Sequence, residues 1–207
     1  MGGEPPLGPL NAMTDQPDPP AEAPRRRTAE GRLPGDMTAE ALVERMIRVN
    51  QAGEYGAKRI YEGQLAVLGQ RPEAALIRHM AAQEQRHLDA FDKLIPARRV
   101  RPTALQPFWH VAGYALGAAT ALLGKEAAMA CTVAVETVID EHYARQSAAL
   151  GEDEAALKAL IDESRADENE HRAAAEAEGA AQAPGYPVLT AAIKVGSRLA
   201  IWLSERI

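Results

Sequence analysis

The spacing of apolar and polar residues predicts a chain built from helices. From about residue 36 onward, apolar residues recur every three to four positions, which is the spacing of a helix's buried stripe. We expect six helices, of which the first runs from Asp36 to Gly69 and the second from Pro72 to about Leu94. A linker carrying Pro96, Pro102 and Pro107 leads to a third helix from Phe108, and a fourth follows Gly124 and runs to Leu150. The fifth extends from the turn at 151–153 to about Glu178, and the sixth ends at Ile207. Long helices joined by short turns imply antiparallel hairpins, and the long passage between the two pairs implies a crossover connection.

The third and sixth predicted helices are more apolar than the other four. The segment 107–123 is apolar on every side, whereas the sixth helix places Lys194 and Arg198 on one face and apolar residues on another. Each carries one of the two tryptophans, Trp109 and Trp202, as is typical of helices that lie in a membrane interface. We expect both helices to lie on a membrane surface, and burial inside the bundle is the alternative.

Composition narrows the class of protein. The chain of 207 residues carries a net charge of −6 at pH 7, which argues against a nucleic-acid partner. Eight of its fourteen prolines lie in residues 1–36, which contain no apolar run, so we expect a disordered Pro-rich tail followed by one domain at 37–207. A single cysteine, Cys131, excludes an internal disulfide, fits a reducing compartment and is predicted to be a small core residue. No export signal is visible.

Four glutamates and two histidines occupy positions where the apolar stripes predict buried residues. The stretch "AAQEQRHLDAF" (81–91) carries Glu-x-x-His on the second helix, and the same motif recurs on the fifth helix. Two further glutamates stand alone on the stripes of the first and fourth helices. The complete set is Glu54, Glu84, His87, Glu136, Glu168 and His171.

The turns place these residues at one height in the predicted bundle. The midpoint between Glu54 and Glu84 is residue 69, in the first turn, and the midpoint between Glu136 and Glu168 is residue 152, in the second. Residues equidistant from the turn of an antiparallel hairpin lie side by side. The two hairpins agree independently, which disfavours the alternative that all four are surface glutamates.

Buried carboxylates need a cation. Each buried ion carries a desolvation cost of several kcal/mol, and no Lys or Arg falls on these stripes. Two divalent cations would balance four carboxylates. Zinc prefers sites richer in Cys or His, and magnesium usually keeps several waters, whereas mixed carboxylate and imidazole ligands suit a redox-active pair of iron ions. We therefore expect two iron ions per chain, in the ligand pattern of a ferritin-like four-helix bundle with two additional apolar helices.

Longer stretches of the sequence resemble a known family. The segments "RVNQAGEYGAKRIYEGQ" (48–64), "RVRPTALQPFWHVAGYALGAATALLGKEAAMACTVAVE" (99–136), "EHY" (141–143) and "LAIWLSERI" (199–207) are similar to the demethoxyubiquinone hydroxylases of ubiquinone biosynthesis, over about residues 42–207. The resemblance implies that the same six residues bind iron. It also implies hydroxylation of the ring of a polyprenylated methoxy benzoquinol by O2. Such a substrate, the two apolar helices and the reducing compartment together predict peripheral association with the cytoplasmic side of the cell membrane. A lipid-binding accessory protein is a possible partner.

Two electrons must come from an external reductant, since the sequence has no Gly-rich dinucleotide fingerprint. His142 and Tyr143 follow Glu136 closely enough to orient a ligand or relay a proton or electron, and simple core packing of Tyr143 is the alternative. His79 and His110 are interpreted as ordinary residues. Two other functions remain open: a ferritin-like iron storage or detoxification protein, and a helical scaffold whose partner covers the apolar helices.

Overall fold

The computed structural model describes Met1 and residues 35–207, so nearly all of the predicted Pro-rich tail lies outside the described residues. The helices are α1 (Ala39–Leu68), α2 (Ala74–Ala97), α3 (Gln106–Leu122), α4 (Lys125–Ala149), α5 (Ala155–Ala177) and α6 (Tyr186–Ser204), with short 3₁₀ turns at Glu152–Glu154 and Ala180–Gln182. No strand occurs within the described part of the chain. The predicted fold class, an all-α ferritin-like bundle with two additional helices, is confirmed. The domain boundary at residue 37 stays a prediction.

The bundle consists of two hairpins, α1 with α2 and α4 with α5, and two of its apolar clusters lie between these four helices. One cluster contains Ile47 of α1, Phe91 of α2 and Ile161 of α5. The other contains Leu68 of α1 and Met80 of α2, together with alanines of α4. Because Glu54 and Glu84 lie between these positions along their helices, the polar residues form a layer between two apolar ones.

The second helix ends differently from the prediction, which placed Pro96 in a linker. Pro96 lies inside the last turn of α2. The helix closes there because Arg99 adopts a positive φ of 54° and the Val100 N–H donates to the Ile95 carbonyl at 2.9 Å, the pattern of a Schellman cap. Val100 is buried in the apolar cluster around Phe91. A proline near the end of a helix removes a single hydrogen bond, and the cap with its buried valine makes that loss tolerable. The other helix ends differ from prediction by about three residues or fewer.

Glycines allow α3 to lie directly against α1. A Cβ atom at Gly63 would overlap the Tyr114 carbonyl oxygen, and one at Gly117 would overlap the Ile60 carbonyl oxygen. The two backbones therefore approach more closely than side chains would permit. Cys131 of α4 is fully buried near this contact, as predicted, and burial raises the pKa of its thiol to about 12.

The outer faces of α3 and α6 remain apolar and exposed. On α3 the exposed side chains include Phe108 and Val111, and on α6 they include Val195, Leu199 and Trp202. Complete burial of these helices inside the bundle, the alternative considered above, is therefore wrong. Among the described residues, no helix is both long and apolar enough to cross a membrane.

We expect Gly117→Ala to lower the free energy of unfolding by about 1–3 kcal/mol, because the added methyl group forces α3 away from α1. Chemical denaturation followed by circular dichroism measures this. The matched control is Gly196→Ala in α6, where a Cβ meets nothing within 4 Å, so the free energy of unfolding should rise by about 0.5–1 kcal/mol. A Gly117→Ala protein as stable as the wild type would contradict the close contact.

Candidate metal centre

The six residues predicted from spacing converge in the polar layer of the bundle. Their exposed fractions are all 5% or less. Their potential ligand atoms form two groups, each with all atoms within 4.8 Å of one another: Glu54, Glu84, His87 and Glu168 in one, and Glu84, Glu136, Glu168 and His171 in the other. Glu84 and Glu168 belong to both groups. The arrangement is therefore two adjacent sites that share two carboxylates.

Each histidine directs one ring nitrogen toward the carboxylates and the other toward an acceptor on the opposite helix. His87 of α2 donates from Nε2 to Asp167 of α5 at 3.0 Å, and its Nδ1 lies 3.5 Å from Glu54 Oε2. His171 of α5 donates from Nε2 to Gln83 of α2 at 3.1 Å, and its Nδ1 lies 3.1 Å from Glu168 Oε2. Because Nε2 is the donor to Asp167 and to Gln83, each Nδ1 offers a lone pair to a metal once its own proton has left.

Two tyrosines hold Glu54 and Glu136, the two glutamates that are not part of a Glu-x-x-His motif. Tyr61 of α1 donates to Glu136 Oε1 on α4 at 2.9 Å. Tyr143 of α4 donates to Glu54 Oε1 on α1. In both glutamates the second oxygen, Oε2, is buried and has no hydrogen-bond partner among the described residues. Each glutamate is thus oriented by one oxygen and offers the other.

These contacts follow an approximate twofold pattern that is visible in the sequence. Each tyrosine lies seven residues after the lone glutamate of its own helix and bonds to the lone glutamate of the other helix. Gln83 and Asp167 each precede the glutamate of a Glu-x-x-His motif and accept from the histidine of the other motif. Sequence reasoning missed Tyr61, Gln83 and Asp167 in these roles, although the two repeats were a signal that could have found them.

The donor atoms of this layer fit a metal pair. Five of them have no hydrogen-bond partner within the described part of the chain: Glu54 Oε2, both side-chain oxygens of Glu84, Glu136 Oε2 and His87 Nδ1. Buried polar atoms are normally paired, so unpaired oxygens and an imidazole nitrogen that face one another indicate a place for cations.

Without a metal, protons bound by the glutamates and histidines of the layer balance the negative charge of the carboxylates. Burial and neighbouring carboxylates raise the pKa of Glu84 and that of Glu136. Burial lowers the pKa of His87, but the nearby carboxylates of Glu168 and Glu54 outweigh it and raise the value to about 10. For Glu168, burial raises the pKa, yet the hydrogen bond from His171 and the nearby His87 imidazole bring it down to about 2. A metal ion entering the layer must therefore displace protons.

The other singled-out residues lie outside this layer, except Tyr143. His142 accepts at Nε2 from the Gln146 amide at 2.7 Å, and Gln146 pairs with Asn50. Within the described residues, no hydrogen bond or ion pair joins His142 to any of the six, and its role in orienting a ligand stays a prediction. Exposed His110 accepts from Tyr55 at 2.6 Å, and His79 is also exposed, as expected of ordinary residues.

An apolar cavity of about 430 Å³ lies beside the polar layer, between α1, α3, α4 and α6. Its wall includes Gly53 and Val135, which directly precede Glu54 and Glu136. Leu116 of α3 and Leu199 of α6 complete it on the side of the exposed apolar faces. An apolar molecule held there would lie close to the two glutamates that tyrosines orient.

Comparison with known proteins identifies the family of this chain. A family model described as ubiquinone biosynthesis protein COQ7 matches residues 41–204. The 3-demethoxyubiquinol 3-hydroxylase of Rhodospirillum rubrum is 61% identical over 183 residues, covering 88% of this chain and 86% of the relative. The human NADPH-dependent 3-demethoxyubiquinone 3-hydroxylase, mitochondrial, is 50% identical over 176 residues, covering 83% and 81%. The yeast 5-demethoxyubiquinone hydroxylase, mitochondrial, is 42% identical over 184 residues, covering 81% and 79%. The chain belongs to the COQ7 family of ubiquinone biosynthesis proteins.

Proposed function

We propose that this chain is an O2-dependent hydroxylase that adds a hydroxyl group to the ring of demethoxyubiquinol in ubiquinone biosynthesis. The observation that carries the proposal is the buried layer of two Glu-x-x-His motifs and two lone glutamates beside an apolar cavity. The named activities of relatives that match most of the chain support it. In the reaction, one oxygen atom enters the ring as a hydroxyl group and the other leaves as water, which requires two electrons and two protons from a reductant.

We further propose that the layer binds two iron ions. Glu54, Glu84, His87 and Glu168 would hold one ion, and Glu84, Glu136, Glu168 and His171 would hold the other. A reduced iron pair supplies the chemistry that activates O2 toward an electron-rich ring. Iron suits the donor set because imidazole and carboxylate ligands accommodate both of its common oxidation states.

The surrounding residues orient and shield the site. Tyr61 and Tyr143 each fix one oxygen of a lone glutamate, so that the other oxygen points into the layer. Gln83 and Asp167 fix the ring orientation of the two histidines. The apolar clusters on both sides exclude water from the layer. The ring of the quinol and the first units of its prenyl tail would occupy the apolar cavity.

The substrate suggests where the protein acts. We propose that the exposed apolar faces of α3 and α6 rest on the cytoplasmic side of the cell membrane, with Trp202 at the interface. The cavity reaches these faces, so a polyprenyl quinol could enter directly from the lipid. Delivery of the quinol by a lipid-binding accessory protein stays a prediction from the family resemblance.

The source of electrons is the remaining requirement. The human relative is named as NADPH-dependent. We propose a reduced nicotinamide dinucleotide as the reductant for this chain too, bound in some way other than through a Gly-rich fingerprint, which the sequence lacks.

Iron storage is the other function compatible with the ligand set. A storage protein needs a soluble shell and has no use for an apolar cavity that reaches two exposed apolar helices. A scaffold without chemistry leaves the unpaired buried oxygens unexplained. Both therefore fit the structure less well than a hydroxylase.

We expect Glu136→Ala to retain measurable iron, to lose at least about 100-fold in hydroxylation, and still to consume O2, because the five remaining residues would hold the proposed iron without its correct position relative to the ring. Iron content, oxygen uptake and hydroxylated product are measured on one sample with a short-tailed demethoxyubiquinol and a chemical reductant. Exposed Glu163→Ala is the matched control and should behave as wild type. Wild-type protein that mineralises iron without hydroxylating the quinol would instead support storage.

Tyr61→Phe should weaken metal binding or hydroxylation by about 10–100-fold, because Glu136 loses the hydrogen bond that orients it. Competitive metal titration and hydroxylation assays measure the two effects. Tyr55→Phe on the same helix removes a surface hydroxyl bonded to His110 and serves as the control. Equal metal affinity and activity in Tyr61→Phe and Tyr55→Phe would mean that Tyr61 is only a packing residue.

Metal-free protein should lose stability as the pH rises through about 6.5 to 10, since the pKa of His87 is raised in the folded state to about 10. The folded protein binds more protons than the unfolded chain in this window, so alkali favours unfolding. Divalent iron or cobalt should restore stability increasingly at higher pH, because protons no longer compete for the ligands. Thermal unfolding with chelator or metal measures both trends.

The control for this pH experiment is a substitution of an exposed histidine on the same helix. His87→Gln should flatten the pH dependence of the metal-free protein, whereas His79→Gln should leave it unchanged. Metal-free wild-type protein that is more stable at pH 9 than at pH 6.5 would contradict the charge balance described above.

A further inference from the structure

A second groove, which the proposed reaction does not use, lies where the end of α6 meets α1 and α4. Its volume is about 450 Å³, and its wall contains Arg45, His142, Arg145, Arg198 and Trp202. We call it the arginine groove. The helix α6, which forms one wall of the groove, also carries the exposed apolar residues Leu199 and Trp202.

Two of the three arginines have no counter-ion among the residues that the structure describes. Arg198 is bonded to Glu141 at 3.0 Å, whereas Arg45 and Arg145 form no ion pair within the described part of the chain. Glu205 also lines the groove, but its carboxylate pairs with Arg206 at 3.2 Å. In a chain with a net charge of −6, this groove therefore has a local excess of positive charge.

His142 forms part of the same wall and contributes a hydrogen-bond donor, its Nδ1–H. Its side chain is only 6% exposed, and its Nε2 accepts from the Gln146 amide, so the proton of the neutral ring lies on Nδ1. That Nδ1–H has no hydrogen-bond partner within residues 35–207. Burial, followed by the charges of Arg145 and Arg45, lowers the pKa of His142 to about 4, so the field of these arginines reaches the imidazole.

We propose that the arginine groove binds an organic phosphate group through Arg45, Arg145 and the Nδ1–H of His142. Guanidinium groups without a carboxylate partner are the side chains best suited to bind phosphate oxygens. The nearly buried imidazole of His142 adds a hydrogen-bond donor whose position is fixed by its packing. The Trp202 ring offers an aromatic surface at its edge.

Two molecules could supply this phosphate. One is a nicotinamide dinucleotide, and this source rests on the proposed function, in which such a reductant provides the electrons. The other is the headgroup of an anionic lipid, because the groove adjoins the exposed apolar face of α6. Both present the same chemical group to the arginines.

The experiment compares two double variants of the full chain that change the net charge equally. Arg45→Gln with Arg145→Gln removes the unpaired charges of the groove. Arg71→Gln with Arg101→Gln removes two exposed charges outside it and is the control. Binding of NADPH is measured by calorimetry, and binding to phosphatidylglycerol vesicles, with phosphatidylcholine vesicles as reference, is measured by flotation. Neither assay requires iron or turnover, so failure here is distinguishable from failure of the proposed function.

We expect the groove variant to weaken binding of one phosphate source by about tenfold or more, and the control variant to leave it unchanged. Loss confined to NADPH identifies the dinucleotide, and hydroxylation driven by dithionite should then persist in the groove variant while hydroxylation driven by NADPH falls. Loss confined to phosphatidylglycerol vesicles identifies the lipid headgroup. Absence of saturable wild-type binding to either source, or equal weakening in both double variants, overturns the proposal.

Discussion

The burial of four carboxylates in one layer is the constraint on which this structure depends. Each buried ion costs several kcal/mol, while a domain of this size has a total stability of only ~5–15 kcal/mol. Two apolar clusters, one at each end of the bundle, stabilise the helices on both sides of the layer. Within the layer, protons and hydrogen bonds satisfy part of the charge, and the atoms that remain unpaired face one another.

The six residues of the layer were predictable because two residues equally far from the turn of an antiparallel hairpin lie at the same height in the bundle. That rule predicts the height of each residue along the bundle axis, but it does not predict which side chains contact one another across the bundle. The contacts from Tyr61 to Glu136 and from Tyr143 to Glu54 cross between hairpins, so they depend on packing that a single helix pattern does not contain. Only the repeat of the same spacing in both halves could have indicated them.

Local rules also failed where tertiary packing competed with them. Pro96 predicted a linker, yet the Schellman cap and the buried side chain of Val100 keep it in the last turn of α2. The apolar pattern of α3 correctly predicted an unusual helix, but the close contact with α1 depends on Gly63 and Gly117. A pattern of hydrophobicity does not distinguish a glycine that is required for close contact between two helices from a glycine at a position where a larger residue would also fit.

The approximate twofold pattern of the site is broken at one pair of residues, and this difference gives the two proposed metal positions different properties. His87 donates to a carboxylate, Asp167, whereas His171 donates to a neutral amide, Gln83. A carboxylate acceptor draws more strongly on the ring proton, which makes the opposite nitrogen of His87 the stronger electron donor to a metal. The apolar cavity adds a second asymmetry, because it adjoins the residues preceding Glu54 and Glu136 rather than the Glu-x-x-His motifs. A site built by repetition would thus present the proposed substrate to only one side of the proposed metal pair, and the two metal positions would have unequal ligands.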